Sequence, residues 1–196
     1  MLSGYKFAVI GHSQPKIEAM QKVTGETRYA DDLALPRMLY GKILRSPLPH
    51  ARIVGIDASR ALALPGVFAV ITGKDVPIKY GIMPSSQDEE ALCVDHVRFV
   101  GDPVAAVAAI DEATAERALD FIDVEYAPLA PISSIHDGLD DTLPQMHDYA
   151  DQHNIHKLIA LEFGDLPAGF RAADHIREDV FFYEGNTHLP IEQHAA

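Results

Sequence analysis

Residues 97–126 constrain the fold more than any other part of the chain. They read VRFVGDPVAAVAAIDEATAERALDFIDVEY, which joins a Gly-Asp-Pro turn, an uncharged apolar run and an amphipathic stretch. The uncharged run, 104–110, has the length of a strand that is covered on both faces. Asp111 or Thr114 can cap a following helix, because both side chains accept hydrogen bonds from the first helical N–H groups. The pattern predicts strand, turn, buried strand, helix and strand, a compact α/β unit in which we find no catalytic group.

A second strand, helix and strand pattern precedes this unit. Residues 38–45 and 51–56 alternate like strands and are separated by Ser-Pro-Leu-Pro. A short helix over 57–64 and a strand over 67–72 follow, and this spacing predicts a crossover unit. The connection over 73–95 is long, and loops of this length are usually functional or cover a partner.

The chain divides into four segments by composition. We expect a short arm over 1–16, an α/β domain over 17–127, a proline-rich linker over 128–155 and the start of another domain over 156–196. The last segment is predicted to contain strands over 156–163 and 176–183, a short helix over 165–173, and a further strand that begins at 189. Because an apolar strand rarely ends a domain, we expect a continuation, so that the chain is a fragment or one part of a split subunit.

Charge and cysteine content exclude several classes of protein. The chain has 16 Lys and Arg against 29 Asp and Glu, a formal net charge of −13. This excess opposes binding to phosphate backbones and predicts no nucleic-acid partner. There is no apolar run of about 18 residues and no secretory signal, so we expect no membrane contact. The single cysteine, Cys93, excludes an internal disulfide and indicates a reducing cytoplasm.

Three histidines form the clearest candidate metal site. His147, His153 and His156 lie close together in the sequence, with Asp148 and Asp151 between them, and such spacing can bind zinc. No regular structure is predicted there to fix the ligands, and no cysteine is nearby. We therefore expect a solvated loop and assign no metal ligand.

Two further sets of residue types could support nucleophilic catalysis. Cys93 is followed by Asp95 and His96, which could activate a thiolate. A hydrolase triad could be imagined from three other residues, Ser46, His50 and Asp57. A triad is defined by geometry rather than by residue type, and no oxyanion donors are evident, so we expect a half-buried structural cysteine and no catalytic residue.

Arg45 and the last strand could serve either structure or binding. Arg45 ends a strand before Ser46-Pro47, where a guanidinium often fixes a neighbouring loop by bidentate hydrogen bonds, and substrate binding is the alternative. Glu192 and His194 fall in the final predicted strand. Packing at a domain boundary is a simpler interpretation of these residues than a functional carboxylate.

Three stretches of the chain carry a family resemblance. These are KVTGETRYADDL (22–33), MLYGKILRSPLPHARIVGIDASRALALPGVFAVITGKDVP (38–77) and HVRFVGDPVAAVAAIDEATAERALDFIDVEYAPLAP (96–131). They resemble the N-terminal α/β hammerhead domain of the xanthine dehydrogenase and aldehyde oxidase superfamily. EFGD (162–165) and IEQHAA (191–196) resemble the start of the following molybdenum-cofactor region. GIMP (81–84) and the stretch over 101–116 are most similar to the large subunit of 4-hydroxybenzoyl-CoA reductase.

The resemblance implies a mixed-sheet α/β hammerhead domain followed by the beginning of a molybdopterin-binding domain. It implies the N-terminal part of the large subunit of a cytoplasmic molybdenum oxidoreductase. Iron–sulfur clusters and FAD are then held on partner domains or subunits, and the substrate is an aromatic compound, an aldehyde or a CoA thioester. The family's catalytic glutamate and cofactor loops lie downstream, so no residue of this chain, Glu192 included, takes a catalytic or cofactor-binding role from the family. We expect the chain alone to be inactive, and the alternative is a standalone interaction or scaffold module.

Overall fold

The structure is a computed structural model that describes residues 7–82, 86–148, 153–187 and 189. Its strands are β1 (Tyr40–Arg45), β2 (Ala51–Asp57), β3 (Val67–Thr72), β4 (Lys79–Tyr80), β5 (Glu89–Glu90), β6 (His96–Val97), β7 (Pro103–Ala109) and β8 (Asp123–Pro128). Its helices are α1 (Ala19–Thr24), α2 (Ser59–Leu62), α3 (Glu112–Leu119), α4 (Ile135–Gly138) and α5 (Leu166–Ala172), with a 3₁₀ turn at Ala30–Asp32. None of these helices, within the described residues, is long and apolar enough to cross a bilayer.

All of these strands belong to one compact unit, Arg37–Ile176. The first sheet has the order β1-β7-β3, the second sheet has the order β6-β2-β8, and β4 pairs with β5. Every strand pair among the described residues is antiparallel. The combination of helices and sheets confirms the predicted α/β class, while the pairing is antiparallel throughout.

The core of the unit forms on both sides of β7, the central strand of the first sheet. On one side, Ala105 and Val107 pack against α2 and α3 through Ala61 and Ala118. On the other side, Val104 packs with residues of the second sheet, Ala51 and Val97, and with Cys93. The apolar residues Val104, Ala105 and Val107 follow from this position, because a polar side chain at any of these buried sites would lose its hydration.

The predicted start of α3 is confirmed. The Asp111 side chain accepts a hydrogen bond of 2.7 Å from the backbone N–H of Thr114, which identifies Asp111 rather than Thr114 as the N-cap. Ala115 and Ala118 are fully buried on the face that meets the first sheet. Small side chains at these positions allow the helix to lie close to the strands.

Three expectations from the sequence were wrong. The helices α2 and α3 each connect the first and second sheets rather than two strands of one sheet, so the predicted crossover unit is absent. Residues 156–163 and 176–183 contain no strand. A strand needs a partner for its backbone hydrogen bonds, and the periodicity of a single segment cannot show whether one is available. The predicted helix over 165–173 is confirmed as α5, whereas the strand from 189 lies outside the described residues except for Leu189.

The second compact unit consists of Met1–Pro36 and Arg177–Ala196. Its described part contains α1, which ends at Gly25 in the left-handed conformation, and the 3₁₀ turn. Neither element contains a buried residue. Large apolar side chains of this unit, such as Val180 and Phe181, are almost fully exposed.

Candidate functional site

Two turns that are far apart in sequence join at the edge of the first sheet. The backbone N–H of Ser46 donates to the carbonyl oxygen of Asp102 at 2.8 Å, and the N–H of Gly101 donates to the carbonyl oxygen of Ser46 at 2.8 Å. The Arg45 guanidinium donates to the Gly101 carbonyl oxygen at 2.9 Å. Gly101 has φ = +97°, a conformation that favours glycine. Arg45 therefore fixes the neighbouring loop, through one hydrogen bond to the backbone rather than a bidentate pair.

Asp102 is the buried charged residue of this junction, with only 8% of its surface exposed. Its Oδ2 accepts a hydrogen bond of 2.8 Å from the backbone N–H of Arg98. The Arg98 side chain in turn donates from Nε to the Met146 carbonyl oxygen at 2.7 Å. Sequence reasoning treated Gly-Asp-Pro only as a turn and missed this carboxylate. The signal for it was an aspartate directly before an uncharged buried strand.

Cys93 is buried beside Asp102, which disfavours the thiolate form. Its backbone N–H donates to the Pro103 carbonyl oxygen at 2.8 Å. Burial, followed by the charge of Asp102 and a hydrogen bond to it, raises the pKa of the Cys93 thiol to about 12. The thiol is protonated at neutral pH, whereas a nucleophile or metal ligand must be a thiolate.

Asp95 and His96, the residues considered for activation of Cys93, take part in backbone pairing instead. The Asp95 carbonyl oxygen accepts from the Ile53 N–H at 2.7 Å, and His96 is in β6 opposite Arg52. The charged groups that act on the thiol are Asp102, Glu90 and Arg98. The structure therefore brings Cys93 together with a carboxylate that suppresses its ionisation.

The three residues of the imagined triad are each bonded to the backbone. The Ser46 hydroxyl donates to the Leu48 carbonyl oxygen at 2.9 Å and accepts from the Leu48 N–H at 3.0 Å. The His50 Nδ1 lies 2.8 Å from the Ala130 carbonyl oxygen, so this nitrogen carries the proton. Asp57, the last residue of β2, accepts from the Ser59 N–H at 2.9 Å. Ser46 and His50 are buried, and their bonds are those of residues that shape turns.

A cavity of about 360 Å³ lies next to the junction. Its wall contains Cys93, Asp102, the arginine Arg98, and the acidic residues Asp88 and Glu90. The arginine is bonded to a backbone carbonyl through its Nε. A molybdopterin carries a phosphate, which requires cationic or N–H donors, and this acidic wall would repel it. The described residues at this cavity therefore do not fit the cofactor that the resemblance implies.

The histidines of the candidate metal site surround a second cavity of about 330 Å³. His147 contacts the Asp88 carboxylate through Nδ1, and the His153 Nε2 lies 2.8 Å from the Leu143 carbonyl oxygen. His156 lines the same cavity. No group of three or more His, Cys, Asp or Glu among the described residues is arranged to hold a metal ion. Asp151, Glu192 and His194 lie outside the described residues.

Comparison with known proteins identifies the family of the chain. The model of the aldehyde oxidase and xanthine dehydrogenase a/b hammerhead domain matches residues 24–130. The nicotinate dehydrogenase large molybdopterin subunit of Eubacterium barkeri is 38% identical over 98% of this chain and 44% of its own length. A probable xanthine dehydrogenase subunit of Bacillus subtilis is 40% identical over 92% of this chain and 24% of its own length. The chain thus spans less than half of the length of these relatives.

The fold is also shared with a solved enzyme of known activity. Quinoline 2-oxidoreductase from Pseudomonas putida 86 superposes with a TM-score of 0.65 and 38% identity, over 72% of this chain and 19% of that one. The match over 24–130 includes both turns of the junction and the eight strands found in the described part of the chain. The resemblance seen in the sequence is confirmed for the family, and the position near 4-hydroxybenzoyl-CoA reductase stays a prediction. The chain belongs to the aldehyde oxidase and xanthine dehydrogenase family, and residues 24–130 are its a/b hammerhead domain.

Proposed function

We propose that the chain is a supporting module of the large subunit of a molybdenum-containing oxidoreductase and has no catalytic activity alone. One observation carries this proposal. The buried polar residues among those described, Ser46, His50 and Asp102, are all hydrogen-bonded to the backbone of the chain itself through their side chains. Since the sole cysteine is also held protonated, none of these buried residues is free for chemistry.

The cofactors and the substrate then belong to other parts of the enzyme. Molybdopterin is held by polypeptide outside this chain, and iron–sulfur clusters and FAD by partner domains or subunits. The relatives are a nicotinate dehydrogenase and a probable xanthine dehydrogenase, which supports a small-molecule substrate of the aromatic or aldehyde class, with a CoA thioester as the third class. We place the enzyme in the cytoplasm, in accord with its single buried cysteine.

Exposed apolar side chains support a role inside a larger protein. Leu161 and Phe163 in one unit, and Phe181 and Phe182 in the other, are each more than three-quarters exposed. A protein that works alone rarely presents so many large apolar side chains to water. We interpret 1–16 as an arm, 17–127 as the hammerhead domain, 128–155 as a linker and 156–196 as the beginning of the cofactor domain.

Metal analysis of two proteins tests the proposal. The chain and a longer polypeptide that also carries the downstream regions are purified from a host that makes molybdopterin. We expect molybdenum and turnover with an artificial electron acceptor only in the longer protein. Molybdenum bound to the chain at one equivalent, or turnover by the chain alone, would contradict the proposal.

Light scattering separates this role from that of a standalone scaffold module. The exposed apolar residues predict self-association of the purified chain that increases with concentration. A scaffold that works without the enzyme should instead remain a monodisperse monomer at the same concentrations.

A further inference from the structure

The segment that follows β8, residues 129–148, is attached near both of its ends to loops of the sheet-bearing part of the chain. We call this segment the strap. It belongs to the same compact unit as the sheets, yet none of its residues is buried and none pairs in a strand. Its helix, α4, is capped locally, since the Asp137 N–H donates to the Ser134 hydroxyl at 3.1 Å. A segment with so little buried surface opens at a lower free energy than packed strands do.

The near end of the strap is attached to a buried residue. His50 is only 2% exposed, and its Nδ1 lies 2.8 Å from the Ala130 carbonyl oxygen. The Leu129 N–H also donates to the His50 carbonyl oxygen at 3.0 Å. Release of this end would therefore disturb the buried part of the unit.

The far end of the strap is attached through partly exposed side chains. The Arg98 Nε donates to the Met146 carbonyl oxygen at 2.7 Å, and His147 contacts the Asp88 carboxylate through Nδ1. The His147 side chain is 41% exposed. Arg98 is itself fixed at its backbone, because its N–H donates to the Asp102 carboxylate. We call these two side-chain contacts the latch, and they can separate without movement of the Arg98 backbone.

Asn154 braces the strap residue that the latch binds. Its Oδ1 accepts from the Met146 N–H at 2.8 Å, and its Nδ2 donates to the Pro144 carbonyl oxygen at 3.0 Å. Met146 is thus bonded at its N–H by Asn154 and at its carbonyl oxygen by Arg98. Loss of either side chain should make release of the far end easier.

The latch lies where two cavities meet. Met146 and His147 line both the cavity of about 360 Å³ beside the junction and the second cavity of about 330 Å³. Cys93 and Asp102 are in the wall of the first of these, which we call the junction cavity. Displacement of Met146 and His147 would remove part of the wall that stands across the cavity from Cys93.

We propose that the strap opens from its Met146 end as a unit of its own, while both sheets stay folded, and that this opening admits water and small molecules to Cys93 and Asp102. The near end then acts as the hinge, because His50 keeps it on the buried part of the unit. The inference goes beyond the proposed function and does not depend on it.

The urea dependence of Cys93 alkylation tests the inference on the unaltered chain. Iodoacetamide labelling is followed by mass spectrometry in dilute solution, from zero urea up to the unfolding transition. Opening of the strap exposes little surface, so we expect a labelling rate that is nearly independent of urea over this range. A rate that rises from the lowest urea concentrations in parallel with the unfolding equilibrium constant would overturn the inference, because Cys93 would then be reached only by global unfolding.

Removal of the latch arginine gives a test in which two effects have opposite signs. Arg98→Met keeps the length of the side chain and removes the Nε donor. The charge of Arg98 lowers the pKa of the Cys93 thiol, so loss of that charge alone would slow alkylation. We expect alkylation to become at least about fivefold faster, as the loss of one hydrogen bond from the closed state predicts. Arg117→Met, at an exposed arginine in the last turn of α3, is the matched control and should leave the rate unchanged.

Asn154→Ala weakens the same end of the strap from the opposite side. Asn154 lines the second cavity and not the junction cavity, so its removal does not widen the space beside Cys93. We expect faster alkylation here too, whereas Asn186→Ala, at an exposed asparagine of the other compact unit, should have no effect. Acceleration by Arg98→Met alone would indicate a widened cavity and would overturn the inference, as would unchanged or slower alkylation in both latch variants. Circular dichroism identifies a variant that has not folded, and the urea dependence of the unaltered chain then decides.

Discussion

Cys93 and Asp102 form a donor and acceptor pair whose effect on reactivity can be measured directly. Because burial and Asp102 raise the pKa of the Cys93 thiol to about 12, very little thiolate exists at pH 8. An ordinary cysteine, with a pKa of about 8.5, is about one-quarter ionised at that pH. We expect iodoacetamide to modify folded Cys93 at least about a hundredfold more slowly than the same residue in guanidinium chloride. Mass spectrometry gives both rates, and similar rates would contradict the burial of the thiol.

Removal of the Asp102 carboxylate should change stability and thiol chemistry together. In Asp102→Ala the part-buried N–H of Arg98 loses its acceptor, and a lost acceptor typically costs about 1–3 kcal/mol of unfolding free energy. Asp102→Asn keeps the shape but removes the charge, so the pKa of Cys93 should fall and alkylation should become faster. Urea unfolding measures the first effect and iodoacetamide labelling the second. Asp120→Ala, at an exposed aspartate that ends α3, should change neither.

At the scale of the element, α3 depends on its N-cap. The Thr114 backbone N–H, followed by the Thr114 side chain, holds the pKa of Asp111 below its usual range. A lowered folded-state pKa gives stability that is present above the unfolded pKa of about 4 and is lost as the pH falls through the folded value. Asp111→Ala should therefore lower the melting temperature by a few degrees at pH 7 and by less below about pH 4. Thermal unfolding followed by circular dichroism tests this, and Asp111→Asn, which keeps the acceptor, should stay close to the wild type at pH 7.

The elements show which parts of the fold were accessible from the sequence. The strand over 67–72 and the helix after Asp111 depend on local signals, namely alternation and a capping side chain, and both were found. The segment over 156–163 has the same alternation but forms no strand. Whether a segment finds a partner strand depends on the tertiary structure, which local alternation does not show. The junction could be predicted only as two separate turns, because Arg45 and Gly101 meet across 56 positions. Asp102 was missed for a different reason: its donor, the Arg98 N–H, is only four positions away, but the turn residues alone do not show that the carboxylate is buried.

At the scale of the whole molecule, stability should be concentrated between Tyr40 and Pro128. Every strand of the described residues lies in this interval, and both apolar core clusters are formed by residues within it. Segments with many buried contacts rarely open and are therefore protected from proteases. We expect a protease to cut the backbone outside this interval first.

Limited proteolysis by trypsin tests this distribution. We expect the earliest cuts at exposed sites outside the sheets, Lys157, Arg171 and Arg177, and the accumulation of a fragment that retains both sheets. Arg52 is an internal comparison, because its side chain is also exposed but its backbone lies in β2 between β6 and β8. Cleavage there requires the second sheet to open, whereas cleavage at Lys157 requires no strand to separate. A time course by mass spectrometry in which Arg52 is cut as early as Lys157 would show that the two sheets do not form the stable part of the molecule.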